Sequence, residues 1–102
     1  MRVIKEAFLL AAGRKHPPAA RHLDAWRKAV KQANWRNLVD VRRSCPHTDS
    51  TKVRGGRTVL IFNIRRNDYR LIAAAHFNRQ IVYTLRFMTH AEYSKERWKE
   101  TL

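Results

Sequence analysis

Three β-type runs in the C-terminal half, 57–64, 68–77 and 81–88, pose the problem that any fold of this chain must solve. Each is rich in β-branched, aromatic and small apolar residues, and each carries an arginine among them: Arg57, Arg70 and Arg86. A guanidinium on a strand is costly where its surroundings are apolar. One side of the sheet must therefore meet water and anions. The chain has 22 Lys and Arg against 8 Asp and Glu, a net charge of +14, so the natural anion is a nucleic-acid backbone.

The period-2 pattern proposes a register. Tyr69, Leu71, Ala73, Ala75 and Phe77 share one face of the second run. Ile81, Tyr83, Leu85 and Phe87 share one face of the third. A three-residue loop, Asn78-Arg79-Gln80, pairs Phe77 with Ile81 and Leu71 with Phe87. A two-residue turn at Arg66-Asn67 pairs Ile64 with Tyr69, Phe62 with Leu71 and Leu60 with Ala73. Asn67 suits the positive φ of such a turn, and Arg66 carries a modest penalty there. This register sets Asn63 opposite Arg70 and Arg57 opposite His76. One face is then apolar. The other carries Arg57, Asn63, Arg70, His76 and Arg86 around Val59, Ile61, Ile72, Ala74 and Val82, and is expected to bear the function.

The N-terminal half supplies a cover for the apolar face. Residues 1–4 read as a short edge strand and 5–15 as a helix with Ala7, Phe8, Ala11 and Ala12 on one stripe. Pro17 ends that helix, and Pro18 suits the first turn of the next, which runs to about Ala33. Leu23, Trp26, Val30 and Ala33 form its core stripe. So short a connection predicts an antiparallel helical hairpin. A short helix follows at Asn37–Arg43 with Asn37 as cap, and 44–51 has loop chemistry. Trp98 reads as the core anchor of a last helix. The expected fold class is α+β, with a small antiparallel sheet, an N-terminal helical hairpin and a short C-terminal helix.

Residues 1–102 are enough for one domain with a single core. The lone cysteine, Cys45, excludes an internal disulfide framework and fits a reducing compartment. The apolar stretch at Phe8–Ala12 is too short to span a bilayer and lacks a signal-peptide pattern, so a cytoplasmic protein without membrane contact is expected. The histidines have no ligand spacing, so neither metal nor cofactor is expected. His16, His22 and His47 read as exposed.

The candidate chemistry gathers near the end of the third run. Thr89 and Glu92 form a capping box, which makes His90 the first residue of a helix and sets Tyr93 one turn on. The helix start offers N–H groups to a phosphate, an effect that Glu92 opposes. Arg70, Arg86, His90 and Tyr93 suit metal-independent RNA cleavage. That reaction needs a base for the ribose 2′-OH, an acid for the leaving 5′ oxygen and cations for the phosphoryl oxygens. A phenol serves as base only where neighbouring cations lower its pKa. Lys52, Arg54 and Arg57 around the Gly55-Gly56 turn, Arg65 and Arg66 at the hairpin tip, and Arg42 and Arg43 are candidate RNA contacts. Two rival readings explain the same charge. One is a non-enzymatic RNA- or DNA-binding module; the other is a basic subunit that works mainly in complex with a partner.

Phe62-Asn63-Ile64, Asn67-Asp68-Tyr69-Arg70-Leu71-Ile72 and Thr89-His90-Ala91-Glu92-Tyr93, in this order, resemble the HigB toxin family, related in fold to RelE-type mRNA interferases. The resemblance is most specific over 57–95 and extends to the N-terminal helical hairpin. It implies the toxin of a type II toxin–antitoxin system: a ribosome-associated endoribonuclease that cleaves mRNA and inhibits translation. It also implies a HigA-like helix-turn-helix antitoxin, held in a toxin–antitoxin hetero-oligomer. On the matching positions, Arg70, Arg86, His90 and Tyr93 become the leading functional residues, and Lys52 falls where such toxins often carry a basic residue. The chain departs from the family pattern twice. Arg65-Arg66-Asn67-Asp68 replaces a common Gly-Gly-Asn-Lys, and Ser94 stands where members often have Asp.

Overall fold

A computed structural model describes residues 1–102. Five strands, β1 (Arg2–Ile4), β2 (Asp49–Lys52), β3 (Thr58–Ile64), β4 (Tyr69–His76) and β5 (Ile81–Thr89), form one sheet in the order β1-β5-β4-β3-β2. Four helices, α1 (Glu6–Lys15), α2 (Ala20–Gln32), α3 (Leu38–Ser44) and α4 (His90–Ser94), accompany it, with short 3-10 turns at Pro17–Ala19, Phe77–Arg79 and Arg97–Glu100. The class is α+β, as expected. The sheet is mixed, because edge strand β1 runs parallel to β5 while the other pairs are antiparallel.

The first hairpin has the expected register. Ile64 pairs with Tyr69, Phe62 with Leu71, Leu60 with Ala73 and Asn63 with Arg70. Its turn closes around Arg66-Asn67 as expected, with the Asp68 N–H donating to the Arg65 carbonyl at 3.2 Å, but the positive φ values fall one residue early. Arg65 (φ 51°) and Arg66 (φ 60°) take the left-handed conformation, and Asn67 does not. Arg57 does not pair with His76, because the β3–β4 pairing ends at Leu60 and Ala73 and Arg57 precedes β3, whose start pairs with β2, Lys52 opposite Thr58. That β2 strand overturns the expectation of a loop over 44–51. Its sequence, Asp-Ser-Thr-Lys, is polar throughout and sends no apolar side chain into a core, so it leaves no alternating signal.

The second hairpin keeps Leu71 opposite Phe87 but puts His76, not Phe77, opposite Ile81. The cause is a β-bulge. Ile72 pairs with Arg86 and Ala73 with Thr84, so Leu85 is an extra residue on β5. The bulge moves everything before it by one position. Val82 turns under the helices, while Leu85 packs on the opposite side. Thr84 is buried and donates its hydroxyl to the carbonyls of Ile4 and Lys5, at 3.3 and 3.2 Å. The connection is longer than expected, Phe77–Gln80, and closes on a left-handed Gln80 (φ 57°). The Gln80 amide donates to the carbonyls of Trp35 and Phe77, at 2.7 and 2.8 Å.

Both sheet faces are covered. On one, α1 and α2 deliver Leu9, Leu23, Trp26 and Val30 onto Leu60, Phe62, Leu71, Ala73 and Val82. The α2 stripe is the expected one. The α1 stripe is rotated: Phe8, Leu9, Ala12 and Gly13 face inward, while Ala7 and Ala11 are exposed. Gly13 sits where α1 crosses Ala20, and an added Cβ there would lie 3.2 Å from it, so the helices meet closely because no side chain intervenes. Glu6 joins the two helices through Arg27 (3.2 Å) and Lys31 (2.7 Å), which fixes them as antiparallel. Trp35, unassigned in the sequence reading, is buried; it stacks on Phe62 and donates to Ser44 Oγ at 3.1 Å. Asn37 caps α3 as expected, accepting from the Asp40 N–H at 3.0 Å.

On the other face, Val59, Ile61, Ile72 and Met88 meet Val53 and Trp98 in a second, smaller core. The expected open basic face is therefore closed at its centre. Trp98 is an anchor, as expected, but it lies on the final 3-10 turn and not on α4. The tail then lies along the 53–57 turn: Arg54 N–H donates to the Lys99 carbonyl at 3.0 Å, and a Cβ on Gly55 would lie 2.5 Å from the Leu102 carbonyl oxygen. Replacing Trp98 by Ala should cost about 3–5 kcal/mol in urea unfolding, the usual loss for a buried aromatic. A loss under about 1 kcal/mol would mean that the C-terminal segment does not cover the sheet in solution.

Candidate functional site

β4 brings Arg70 to the edge of the second core. Arg70 is two residues from Ile72 and so shares its face. It is only 8% exposed, yet no carboxylate lies within 4 Å of it. Its Nη1 donates to the carbonyls of Asn67 (3.0 Å) and Tyr69 (3.1 Å), and its Nη2 to Asn67 Oδ1 (3.3 Å). All three acceptors are neutral. They orient the guanidinium without cancelling its charge and leave part of its five-donor fork free. The guanidinium carbon lies 5.2 Å from the centre of the Tyr93 ring. Tyr93 stacks in turn on Trp98, with centroids 5.5 Å apart. The aromatic pair that closes the second core therefore also holds the arginine in place.

A cavity of about 440 Å³ opens beside these groups, lined by Arg42, His47, Asp49, Asn63, Arg70 and Tyr93 among others. Asn63 was placed opposite Arg70 from the sequence. His47, read as an exposed loop residue, is indeed exposed but borders this cavity. The loop presenting it is firmly built. Buried Thr48 donates its hydroxyl to the Cys45 carbonyl at 2.8 Å, and Arg42 Nε donates to the Thr48 carbonyl at 3.0 Å. Thr48 beside His47 was the available sequence signal, because a threonine that bonds back three residues rigidifies a turn. Burial raises the thiol pKa of Cys45, the residue that begins this loop.

The other expected site residues are spread more widely. Arg86, opposite Ile72 and next to the bulged Leu85, shares the face of Arg70 but does not line the cavity. It is half-buried, and its Nη1 donates to the Leu85 carbonyl at 2.8 Å. His90 begins α4, exposed and also outside the cavity. The capping box is present, with Thr89 Oγ1 accepting from the Glu92 N–H at 3.2 Å and Glu92 accepting from the Thr89 N–H at 3.2 Å. The phosphate site expected at this helix start is largely closed. The His90 N–H donates to the Asp68 carbonyl at 2.9 Å, the Glu92 N–H is capped, and the Glu92 carboxylate sits beside them. Ser94 Oγ donates to the His90 carbonyl at 3.0 Å, inside its own helix. His16 corrects another expectation: half-buried, it packs edge-on against Tyr69 and Phe87. Lys52, Arg54, Arg57, Arg65 and Arg66 are all exposed. Lys52 lies on β2, Arg54 and Arg57 flank the turn under the tail, and Arg65 and Arg66 form the β3–β4 tip.

A family model described as HigB toxin, the RelE-like toxic component of a toxin–antitoxin system, matches residues 19–96. The chain belongs to the HigB toxin family. No curated protein matches it. The family match takes in α2, the strands from β2 to β5 and α4, and begins after α1. The protein is thus the toxin of a toxin–antitoxin system, with an antitoxin as its partner. No helix of this HigB-family toxin is long and apolar enough to cross a membrane.

Two outcomes follow from the site's construction. Arg70→Met removes a buried cation that has no anion while keeping most of its volume, so stability should stay within about 1 kcal/mol of wild type in urea unfolding. A loss above about 3 kcal/mol would make Arg70 a structural residue. The second outcome concerns α4. The Thr89 N–H holds the Glu92 carboxyl below its ordinary value of 4.5, against a smaller opposing effect of burial. A folded pKa below the unfolded one gives stability that is present above the unfolded value and lost as pH falls through the folded one. The amide resonances of 90–94 should therefore shift as pH falls below 4.5, before the β-sheet amides do. Simultaneous loss of both would show that the cap is not a separate acid-sensitive point.

Proposed function

We propose that this toxin is a metal-independent endoribonuclease that cleaves mRNA on the ribosome. The observation that carries the reading is Arg70, a buried guanidinium without an anion, set over Tyr93 at the wall of a polar cavity. Such a group is costly to keep unless a ligand supplies the missing negative charge. A phosphodiester supplies it, and a planar fork with free donors suits its oxygens. The ribose 2′-OH attacks the adjacent phosphorus. Its proton passes to a base on the enzyme while the P–O5′ bond breaks and an acid protonates the departing oxygen. The products are a 2′,3′-cyclic phosphate and a 5′-hydroxyl end. Arg70 and Arg86 stabilise the charge on the phosphoryl oxygens. Tyr93 and His90 handle the protons, and His47 is a further imidazole at the same cavity.

Lys52, Arg54, Arg57, Arg65 and Arg66 would dock RNA through phosphate contacts. The antitoxin is of the HigA-like helix-turn-helix kind, and the toxin works in the cytoplasm, where ribosomes and mRNA are found. Arg86→Ala or Tyr93→Phe should relieve growth arrest while circular dichroism and the melting transition stay native. Cleavage, read by primer extension with and without active translation, should fall by about 10²–10⁴-fold. Full toxicity in both variants would overturn the site. Growth arrest without any cyclic-phosphate product would return the chain to the class of non-enzymatic RNA binders.

A further inference from the structure

A second cleft, of about 360 Å³, adjoins the first. It lies between α2, the 45–48 loop and the tip of the β3–β4 hairpin. His47, Thr48 and Asn63 line both cavities, so the two share a wall. Its floor is small and apolar, with Ala25, Ala29 and Ile64, and its rim is cationic or polar, with His22, Arg65 and Arg66. Asp68 neutralises Arg65 at 3.0 Å, whereas Arg66 has no carboxylate within 4 Å. Arg66 borders not only this cleft but also two further hollows beside it, one with His22 and Asp68, the other with His47 and Asn67. Trp26 also lines the cleft, and its Nε1 is the one buried side-chain donor in the protein with no acceptor. The ring forms part of the wall, so its N–H reports on the cleft without itself being a ligand contact.

We infer that this cleft holds a single-stranded ribonucleotide next to the one whose phosphate meets Arg70. An apolar floor with a cationic rim fits a splayed base and its phosphate, the form in which proteins read unpaired RNA. The inference rests on the nuclease reading for the position of the neighbouring phosphate and adds a place for the chain that leads from it. Its determinants are Arg66 for the phosphate and the space above Ala25 for the base.

The test uses fluorescein-labelled 2′-O-methyl RNA, which lacks the attacking hydroxyl, as a dinucleotide and as a pentanucleotide. Anisotropy should show the pentanucleotide binding at least about tenfold tighter than the dinucleotide to wild type, a gain that a stacking and phosphate subsite can supply. Ala25→Phe, at an exposed helix position, should abolish that gain and leave the dinucleotide unchanged. Arg66→Gly suits the left-handed backbone there and should lower pentanucleotide affinity by about tenfold. Arg79→Gln, at the opposite end of β4, should change it less than about twofold. The Trp26 indole N–H resonance should move with the pentanucleotide and not with the dinucleotide. Trp35, whose indole already donates to Ser44, serves as an internal control. A length gain that survives both cleft variants, or one that Arg79→Gln reduces equally, overturns the subsite. If Arg70→Met leaves dinucleotide binding intact while the cleft variants remove the length gain, the nuclease site is wrong and the cleft stands.

Discussion

Strand β4 is covered on both sides, so its two-residue alternation has to satisfy two cores at once. Leu71 and Ala73 go beneath the helical hairpin, and Ile72 goes beneath the C-terminal segment. A slip of one residue against β3 would exchange these sets. Arg70 would then enter the cluster of Leu23, Trp26 and Val30, where it would lose its present acceptors at Asn67 and Tyr69. Register thus decides where the buried charge sits. The pairing of Asn63 with Arg70 puts it at the rim of the smaller core, within reach of the hairpin tip and of Tyr93.

Three of the acidic residues, Glu6, Asp24 and Asp40, act on the helices. Glu6 and Asp24 hold Arg27, Lys28 and Lys31 on the helical hairpin, and Asp40 holds Arg36 and Arg43 on α3. Each such exposed pair adds little stability. Their larger effect is on the field, since they cancel charge over the helices and leave Arg70, Arg86, Arg42 and Arg66 without a carboxylate partner. The excess is not confined to the site, since Arg2, Arg14, Arg21, Lys52, Arg54, Arg57 and Arg97 also lack a carboxylate within 4 Å. The net +14 favours a polyanion in general, and what sets this place apart is the burial of Arg70 without an anion.

The parts of this arrangement that rest on local chemistry were legible in the sequence. The Asn37 cap, the Thr89–Glu92 capping box, the α2 stripe and the Asn63–Arg70 register all follow from short-range patterns whose physics is complete within a few residues. The Leu85 bulge was not legible, because Ile81, Tyr83, Leu85 and Phe87 alternate well enough to suggest an unbroken strand. Only β4 on one side and β1 on the other require Val82 and Thr84 to turn inward. Strand β2 was missed because it contributes no core residue, and the cover over the second face because Trp98 follows α4 across a left-handed Glu96. His47 reaches the cavity because its loop folds back on α3 through Thr48, and only the long-range approach of Arg70 and Tyr93 makes that position part of a site.

The hairpin tip shows how closely the site and the fold depend on each other. Arg65 and Arg66 both adopt a conformation that costs an ordinary residue about 1–2 kcal/mol and glycine almost nothing. The tip is nevertheless tied on every side. Asp68 takes Arg65 by its carboxylate and donates its N–H to the Arg65 carbonyl at 3.2 Å, and its own carbonyl receives the His90 N–H. Asn67 receives Arg70 through both its oxygens. Four consecutive residues thus connect the start of α4, the buried guanidinium and the rim of the second cleft. Strain of this kind persists only where surrounding contacts over-determine the backbone. Glycines would relieve it but would remove two guanidinium groups from the cleft. The strain is therefore best understood as a consequence of placing cations at the one turn that is already held by the site's own residues.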